Sequence, residues 1–447
     1  MNKMWSKLGF RENPYDTKPL NVLNSDVELL LGRETEQVDF LTAIESESQG
    51  IFILSGVPGV GKTSFFNIQQ YLLESEEAQF GPKMLSARNL CPIQPSDEPK
   101  NIAIRCIQSF CNSIEKYCLM TKNDIPPQTS KIQAWVYQNK PATFNFGVSI
   151  LGNGVSFGRE IHLQSINETT YETLVEIIST LALEVNSILG FSGSFIVLDN
   201  VENLHEEDLS DCLTTFRDTL FTIPHIWWVL IGQSGLTSLI QSTNPKVFQR
   251  LSAGIELKPI SIENLIKAVD VRVNRFHCTD NIGSSPITEE IYLKLFDSSN
   301  GEIRFVFKYC QAICINLVQS IRKALIDKNV KIDDENFEKQ MGEHLVNKQI
   351  DNEFSNICLN YIISEEFRGL YLNQDEKDVL KKIGEMKRVR PSNFKEFNVG
   401  TMQNFTQKYL VKMKDQQLLF RRQQGSLLTY ELRGISIFAS EYGLLEE

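Results

Sequence analysis

Between Gly56 and Thr63 the chain reads Gly-Val-Pro-Gly-Val-Gly-Lys-Thr, a G-x-x-x-x-G-K-T spacing that very few local structures satisfy. The apolar run Ile51-Phe52-Ile53-Leu54 precedes it, and a helix-compatible segment from Ser64 to Leu73 follows. Gly56, Gly59 and Gly61 let the backbone curl until its N–H groups point inward, which makes a cradle for anionic oxygens. Lys62 adds a point charge for the β- and γ-phosphates of a nucleoside triphosphate, and the Thr63 hydroxyl can ligate Mg²⁺. The positive end of the following helix faces the same place. A glycine-rich surface turn is the competing reading, and the strand before the loop and the helix after it argue against that. Gly56, Val57, Pro58, Gly59, Val60, Gly61, Lys62, Thr63 and Ser64 are therefore the expected binding segment.

A second apolar run, Phe195-Ile196-Val197-Leu198, ends in Asp199. A buried parallel strand delivering a carboxylate to its C-terminal edge has this form, and Asp199 with Thr63 is the expected Mg²⁺ pair. Glu202 is placed either to orient an attacking water or to cap the next helix. The strand Ile226–Ile231 ends in Gly232-Gln233-Ser234, which puts Gln233 at the same edge. Arg304 opens a helical pattern after Asn300-Gly301-Glu302-Ile303. A cation there opposes the helix dipole, so a phosphate is the natural counterpart.

Strands at 51–55, 84–90, 194–199, 226–231 and 254–257 alternate with helical periods and predict a parallel α/β sheet over residues 1–259. Within it, Phe144 to Phe157 alternates at period two about Gly152-Asn153-Gly154, which predicts an inserted hairpin near 143–163. That hairpin is either an interaction arm or a cover for its own domain. Amphipathic helices then predict a small helical domain with linker helices over 260–370. Over 371–447 the order is helix, short helix, Gly-containing turn, helix capped by Thr401, and two strands, a winged helix-turn-helix.

A chain of 447 residues with 42% hydrophobic and 23% charged residues has the composition of an ordinary globular protein with room for two or three cores. No apolar run reaches membrane-spanning length and no signal-peptide core opens the chain. Nine cysteines without a C-x-x-C pair point to a reducing, cytoplasmic compartment, with Cys310 and Cys314 as buried thiols. A net charge of −11 argues against a protein that coats nucleic acid indiscriminately. The stretch from Asn373 onward is the exception, with 13 Lys/Arg against 10 Asp/Glu.

Taken together, the Gly56–Thr63 loop, Gly32-Arg33-Glu34, Gly232-Gln233, Arg250, Gly301-Glu302-Ile303-Arg304 and the terminal winged helix resemble the AAA+ ATPases, particularly the replication-initiator-type clade of origin-recognition and cell-division-control proteins. The resemblance runs from about Gly9 to Tyr442 and implies ATP and Mg²⁺ as ligands and a homo-oligomer as the assembled form. It implies an adenine pocket around Pro14, Tyr15, Leu31 and Gly32. Arg250 would match the arginine finger that reaches a neighbour's γ-phosphate, and its competing reading is a solvated helix-end cation. Arg304 would match the second sensor. That family usually follows the Mg²⁺-binding Asp with Glu, whereas Asn200 stands here, so either Glu202 substitutes as base or hydrolysis is slow. Gln233 likewise replaces a commoner Asn.

Two functions follow from the resemblance. One is a nucleotide-gated switch on DNA, with Thr401, Gln403, Asn404, Gln407 and Lys408 toward the major groove and Arg421 and Arg422 on phosphates. The other is an ATP-dependent regulator of a protein effector. A metabolic kinase fits poorly, since an extra terminal domain is present and no small-substrate pocket is evident.

Overall fold

The computed structural model describes residues 3–21, 24–75, 81–138, 168–204, 206–278, 285–327, 349–424 and 427–446. The hairpin expected near 143–163 lies outside them. Six strands form one sheet in which every pairing is parallel: β1 (Gly50–Gly56), β2 (Met84–Leu85), β3 (Cys91–Pro92), β4 (Gly193–Asp199), β5 (Ile226–Gly232) and β6 (Ala253–Leu257). Their order is β2-β4-β5-β1-β6, with β3 also on β4.

Side chains alternate across a strand, and the central strands sort their residues by parity. Ile51, Ile53, Ile196, Leu198, Trp228 and Leu230 enter one core. It is covered by the helices Pro99–Thr121, Tyr171–Ser187 and Glu206–Arg217. Phe52, Leu54, Phe195, Val197, Trp227 and Val229 enter the other, under Glu34–Ser46 and Lys62–Glu74. Burial on both faces is why these strands read as continuous apolar runs.

The strand expected over 84–90 is two short pieces instead. The backbone N–H of Ser86 goes to Glu74, that of Ala87 to Gln70 Oε1 at 2.6 Å, and that of Arg88 to Ser113 Oγ at 2.9 Å. Helix side chains thus satisfy donors that a neighbouring strand would otherwise take. The helix Pro127–Gln138 has no clear sequence signal. Its first turn is held by buried Glu184, whose carboxylate accepts from Gln128 N at 2.8 Å and from Thr129 N at 2.7 Å and Oγ1 at 2.8 Å.

The second body is helical: Ile262–Phe276, Glu289–Ser298, Ile303–Asp327 and Asn352–Arg368. Trp5, Leu8, Phe10 and Tyr15 are buried in its core rather than against the sheet. The boundary drawn at 1–259 is corrected accordingly: the first segment of the chain belongs with the helices. It is tied there by an antiparallel bridge between Phe10 and His277. The third body has its own core. Its helix Gln374–Met386 starts with an Asn373/Glu376 capping box. The short 3₁₀ segment Pro391–Phe397 follows, then a continuous helix made of Met402–Asn404, the π-wound Phe405–Val411 and Lys412–Asp415. The antiparallel ribbon β7 (Leu419–Gln424) and β8 (Leu427–Leu432) and the helix Ile435–Glu441 complete it. Among the described residues no helix is long and apolar enough to cross a membrane.

Glu184→Ala should lower stability by about 1–3 kcal/mol in urea unfolding, because it strands buried donors. Glu184→Gln, which keeps an acceptor oxygen, should lose less.

Candidate functional site

Register places the site. Ser55 lies opposite Gly232 and Asp199 opposite Ile231, so the C-terminal ends of β1, β5 and β4 form one edge with β5 in the middle. At sheet spacing, the strand ending in the glycine-rich loop and the strand ending in Asp199 stand about 10 Å apart. Above that edge is a cavity of about 410 Å³, in the range of small-ligand sites. Pro58 to Ser64 line it from the sheet, together with Asp199, Glu202 and Gln233, and Arg304 lines it from the helical body. Gly56 and Val57 are not in the wall. Their carbonyls instead accept from Lys62 Nζ at 2.8 and 3.2 Å, which folds the lysine back along the loop.

The loop conformation requires its glycines. Gly59 has φ 75° and Gly61 φ 99°, the left-handed region where a side chain is strained. Glu302 also occupies the space a Cβ on Gly59 would fill. Gly61 is the N-cap of Lys62–Glu74, with no side-chain cap and no acidic residue in the first turn. The first helical N–H groups are therefore left to a ligand. Ser64 lines the cavity and its hydroxyl accepts from Leu20 N–H at 3.1 Å, fastening the N-terminal strap beside the loop.

Arg33 braces the loop from beneath. It is buried, donating from Nη2 to Val60 O at 3.0 Å and from Nη1 to Lys258 O at 2.8 Å. Burial lowers its pKa and Glu36, 2.9 Å away, works against that.

Opposite the loop are two half-buried carboxylates. Burial raises the pKa of Asp199 above the usual range, opposed by the Asn200 N–H and by Lys62. From side chains it accepts a long bond from Asn200 Nδ2, at 3.4 Å, which leaves its oxygens room for a cation. Thr63 and Asp199 share the cavity wall and fit a Mg²⁺ completed by phosphate oxygens and water. Such a site needs no cluster of acidic and His or Cys ligands, and none exists among the described residues. Glu202 sits in the 3₁₀ turn Val201–Asn203. Burial raises its pKa, its Oε2 is buried without a hydrogen bond, and the Gln233 N–H favours its charged form. Burial lowers the pKa of Lys62, with Glu202 and Asp199 opposing. Asn200 has φ 58°, and Asn tolerates that left-handed geometry better than most residues, so its place in the turn has a backbone reason.

Four further expected residues lie outside the cavity wall. Tyr15 is fully buried in the helical core, its hydroxyl 2.7 Å from that of Tyr292, so it is not in the cavity wall. Neither is Pro14, while Gly32 packs against Asn264. Of the expected adenine-pocket residues only Leu31 lines the cavity, beside Asp16 to Leu20. Arg250 precedes the N-terminal end of β6, away from this edge, and donates to Arg217 O at 2.7 Å with Asp218 3.7 Å distant.

One cation was missed. Arg272 lines the cavity, stacks 4.8 Å over Phe307 and donates to Asp16 O at 3.4 Å. Burial pushes its pKa down to about 10. Its signal was a charged residue on the apolar stripe Leu265, Ala268, Val269 and Val273 of an amphipathic helix.

Glu202→Gln should raise the melting temperature of the ligand-free protein by roughly 1–3 °C at neutral pH. An acid whose folded-state pKa is raised destabilises the fold once it is charged. The penalty is absent below the ordinary carboxylate pKa and complete above the raised value. The gain should therefore shrink as the pH is lowered through that window.

No family model matches the chain, and no curated protein matches it. Its structure is similar to that of the Aeropyrum pernix ORC2 protein in its ADPNP–ADP complexes, at 12% identity over 97% of this chain and 98% of that one, with a TM-score of 0.45. It is similar to the Aeropyrum pernix ORC1 protein in complex with DNA, at 15% identity over 98% and 97%, with a TM-score of 0.46. Cdc6p from Pyrobaculum aerophilum is also similar, at 12% identity over 97% of each chain, with a TM-score of 0.39.

Proposed function

We propose that the protein is an ATP-binding ATPase of AAA+ type, a slow nucleotide-gated switch that assembles on DNA through a C-terminal winged helix. The observation that carries this reading is that Gly59, Lys62, Thr63, Asp199, Glu202 and Arg304 line one cavity together. The open amides at the head of Lys62–Glu74 receive the phosphates, and Lys62 leaves the Gly56 and Val57 carbonyls for the β- and γ-phosphate oxygens. Thr63 and Asp199 would hold Mg²⁺, which supplies charge neutralisation on the phosphates. Glu202, half-buried with a raised pKa, accepts a proton from the attacking water, and Gln233 orients that water. Arg304 and Arg272 bring positive charge from the helical body. Arg250, half exposed beside Asp218, reaches the γ-phosphate bound to a neighbouring copy.

On the C-terminal body, Thr401, Gln403, Asn404, Gln407 and Lys408 are all exposed along one helix, and Arg421 and Arg422 are exposed on the ribbon. This suits a helix in the major groove with the ribbon on phosphates. One observation favours the second reading, a regulator of a protein effector. Glu431 pairs with both Arg388 and Arg422 at 3.2 Å, which spends positive charge that phosphates would need.

Lys62→Ala should weaken ATP binding by roughly a hundredfold or more in calorimetry, and unchanged affinity would overturn the assignment. Asp199→Ala should reduce Mg²⁺-dependent turnover by roughly a hundredfold while affinity falls much less. The full chain should bind a mixed-sequence duplex at low salt, and Arg421→Ala with Arg422→Ala should flatten the salt dependence by about one to two counterions. No salt-dependent binding, with a stoichiometric protein partner recovered after nuclease treatment, would replace the DNA reading with the effector one.

A further inference from the structure

The C-terminal body touches the glycine-rich loop itself. Arg433, only 5% exposed, lies just after the ribbon. It donates from Nη2 to the carbonyl of Pro58 at 3.3 Å and forms an ion pair with Glu302. From Nη1 it donates to Gln417 Oε1 at 3.1 Å, and Gln417 also lines the cavity. One guanidinium thus spans the loop, the helical body and the C-terminal body.

The contact is built. Next to Arg433, Gly434 donates its N–H to Ser298 O at 2.8 Å. Its φ of 56° and the 2.8 Å approach of Phe305 to the place of a Cβ leave room for glycine alone. Phe305 in turn stacks on Phe438 of the last helix, with ring centroids 6.4 Å apart. Residues Glu302 to Phe305 therefore face two ways: Arg304 enters the cavity while Glu302 and Phe305 hold the C-terminal body.

The charges require this arrangement. Glu302 puts a carboxylate where a Cβ on Gly59 would stand, inside the loop proposed to hold phosphates. Alone, that carboxylate would repel the ligand, and Arg433 neutralises it. A triphosphate in the loop adds negative charge beside the same guanidinium and favours its seated position.

We infer that Arg433 is a positioning residue of the nucleotide site, through which nucleotide binding and seating of the C-terminal body stabilise each other. This inference rests on reading the cavity as a triphosphate site. The coupling is reciprocal: whatever engages the C-terminal body and pulls Arg433 away weakens nucleotide binding, and nucleotide holds the body down.

The test uses the full chain, with binding of a fluorescent ATP analogue and amide hydrogen exchange at Gly434 as readouts. Arg433→Gln should weaken binding by roughly five- to tenfold, and adding Glu302→Gln should restore most of it, since the uncompensated carboxylate is then gone. Recovery in the double variant also shows that loss of the Arg433 side chain does not by itself prevent folding. Exchange at Gly434 should be faster in Arg433→Gln without nucleotide, and in the wild type it should slow when the analogue saturates. Wild-type binding with no loss in Arg433→Gln, or no recovery in the double variant, overturns the latch and leaves the cavity assignment standing. A wild type that binds no analogue overturns the cavity assignment on which the latch rests, and exchange at Gly434 then reads the docking alone.

Discussion

The guanidinium of Arg33 holds the glycine-rich loop open. In the loop Gly-Val-Pro-Gly-Val-Gly, Val57 and Val60 are buried in the core, but the glycines between them favour many conformations and leave the backbone to be fixed by other contacts. Two carbonyls, those of Val60 and Lys258, share one buried cation, and this pins the loop to the end of β6. Lys62 holds the first half of the loop by its own carbonyls. With the loop fixed, the head of Lys62–Glu74 points its free amides at a defined volume, and every other site residue acquires its meaning by facing that volume.

The opposing wall is set by the sheet. Because β5 lies between β1 and β4, Asp199 stands across the cavity from the loop, and Gln233 emerges between them. The two carboxylates there are destabilised by burial while Lys62 draws them toward the charged state. Partly buried charge and an unbonded Glu202 oxygen make this wall a locally destabilised part of the fold. The helical body adds Arg304 and Arg272 from the other side, so the cavity is walled by two bodies.

Much of this was legible because it is local. The loop motif, the apolar run ending in Asp199 and the position of Gln233 depend on spacing within one strand or turn, and the strands themselves announce burial on both faces. The short helix Pro127–Gln138 was not legible, since its start depends on a carboxylate from Glu184, far away in sequence. The strand expected over 84–90 failed for a similar reason: β propensity was present, but helix side chains captured the backbone donors.

The sequence by itself determined where the glycine-rich loop lies, which strand carries Asp199, and that helices and then a ribbon follow the sheet. Tertiary structure alone decided that Tyr15 packs into the helical core, that Arg272 turns into the cavity, and that Arg433 reaches Pro58 across 375 positions of chain. Periodicity tells which face of an element is buried, but the partner of a buried charge is set by how separate bodies pack. Electrostatic compensation between Glu302 and Arg433 exists only after that packing, so no local spacing could announce it.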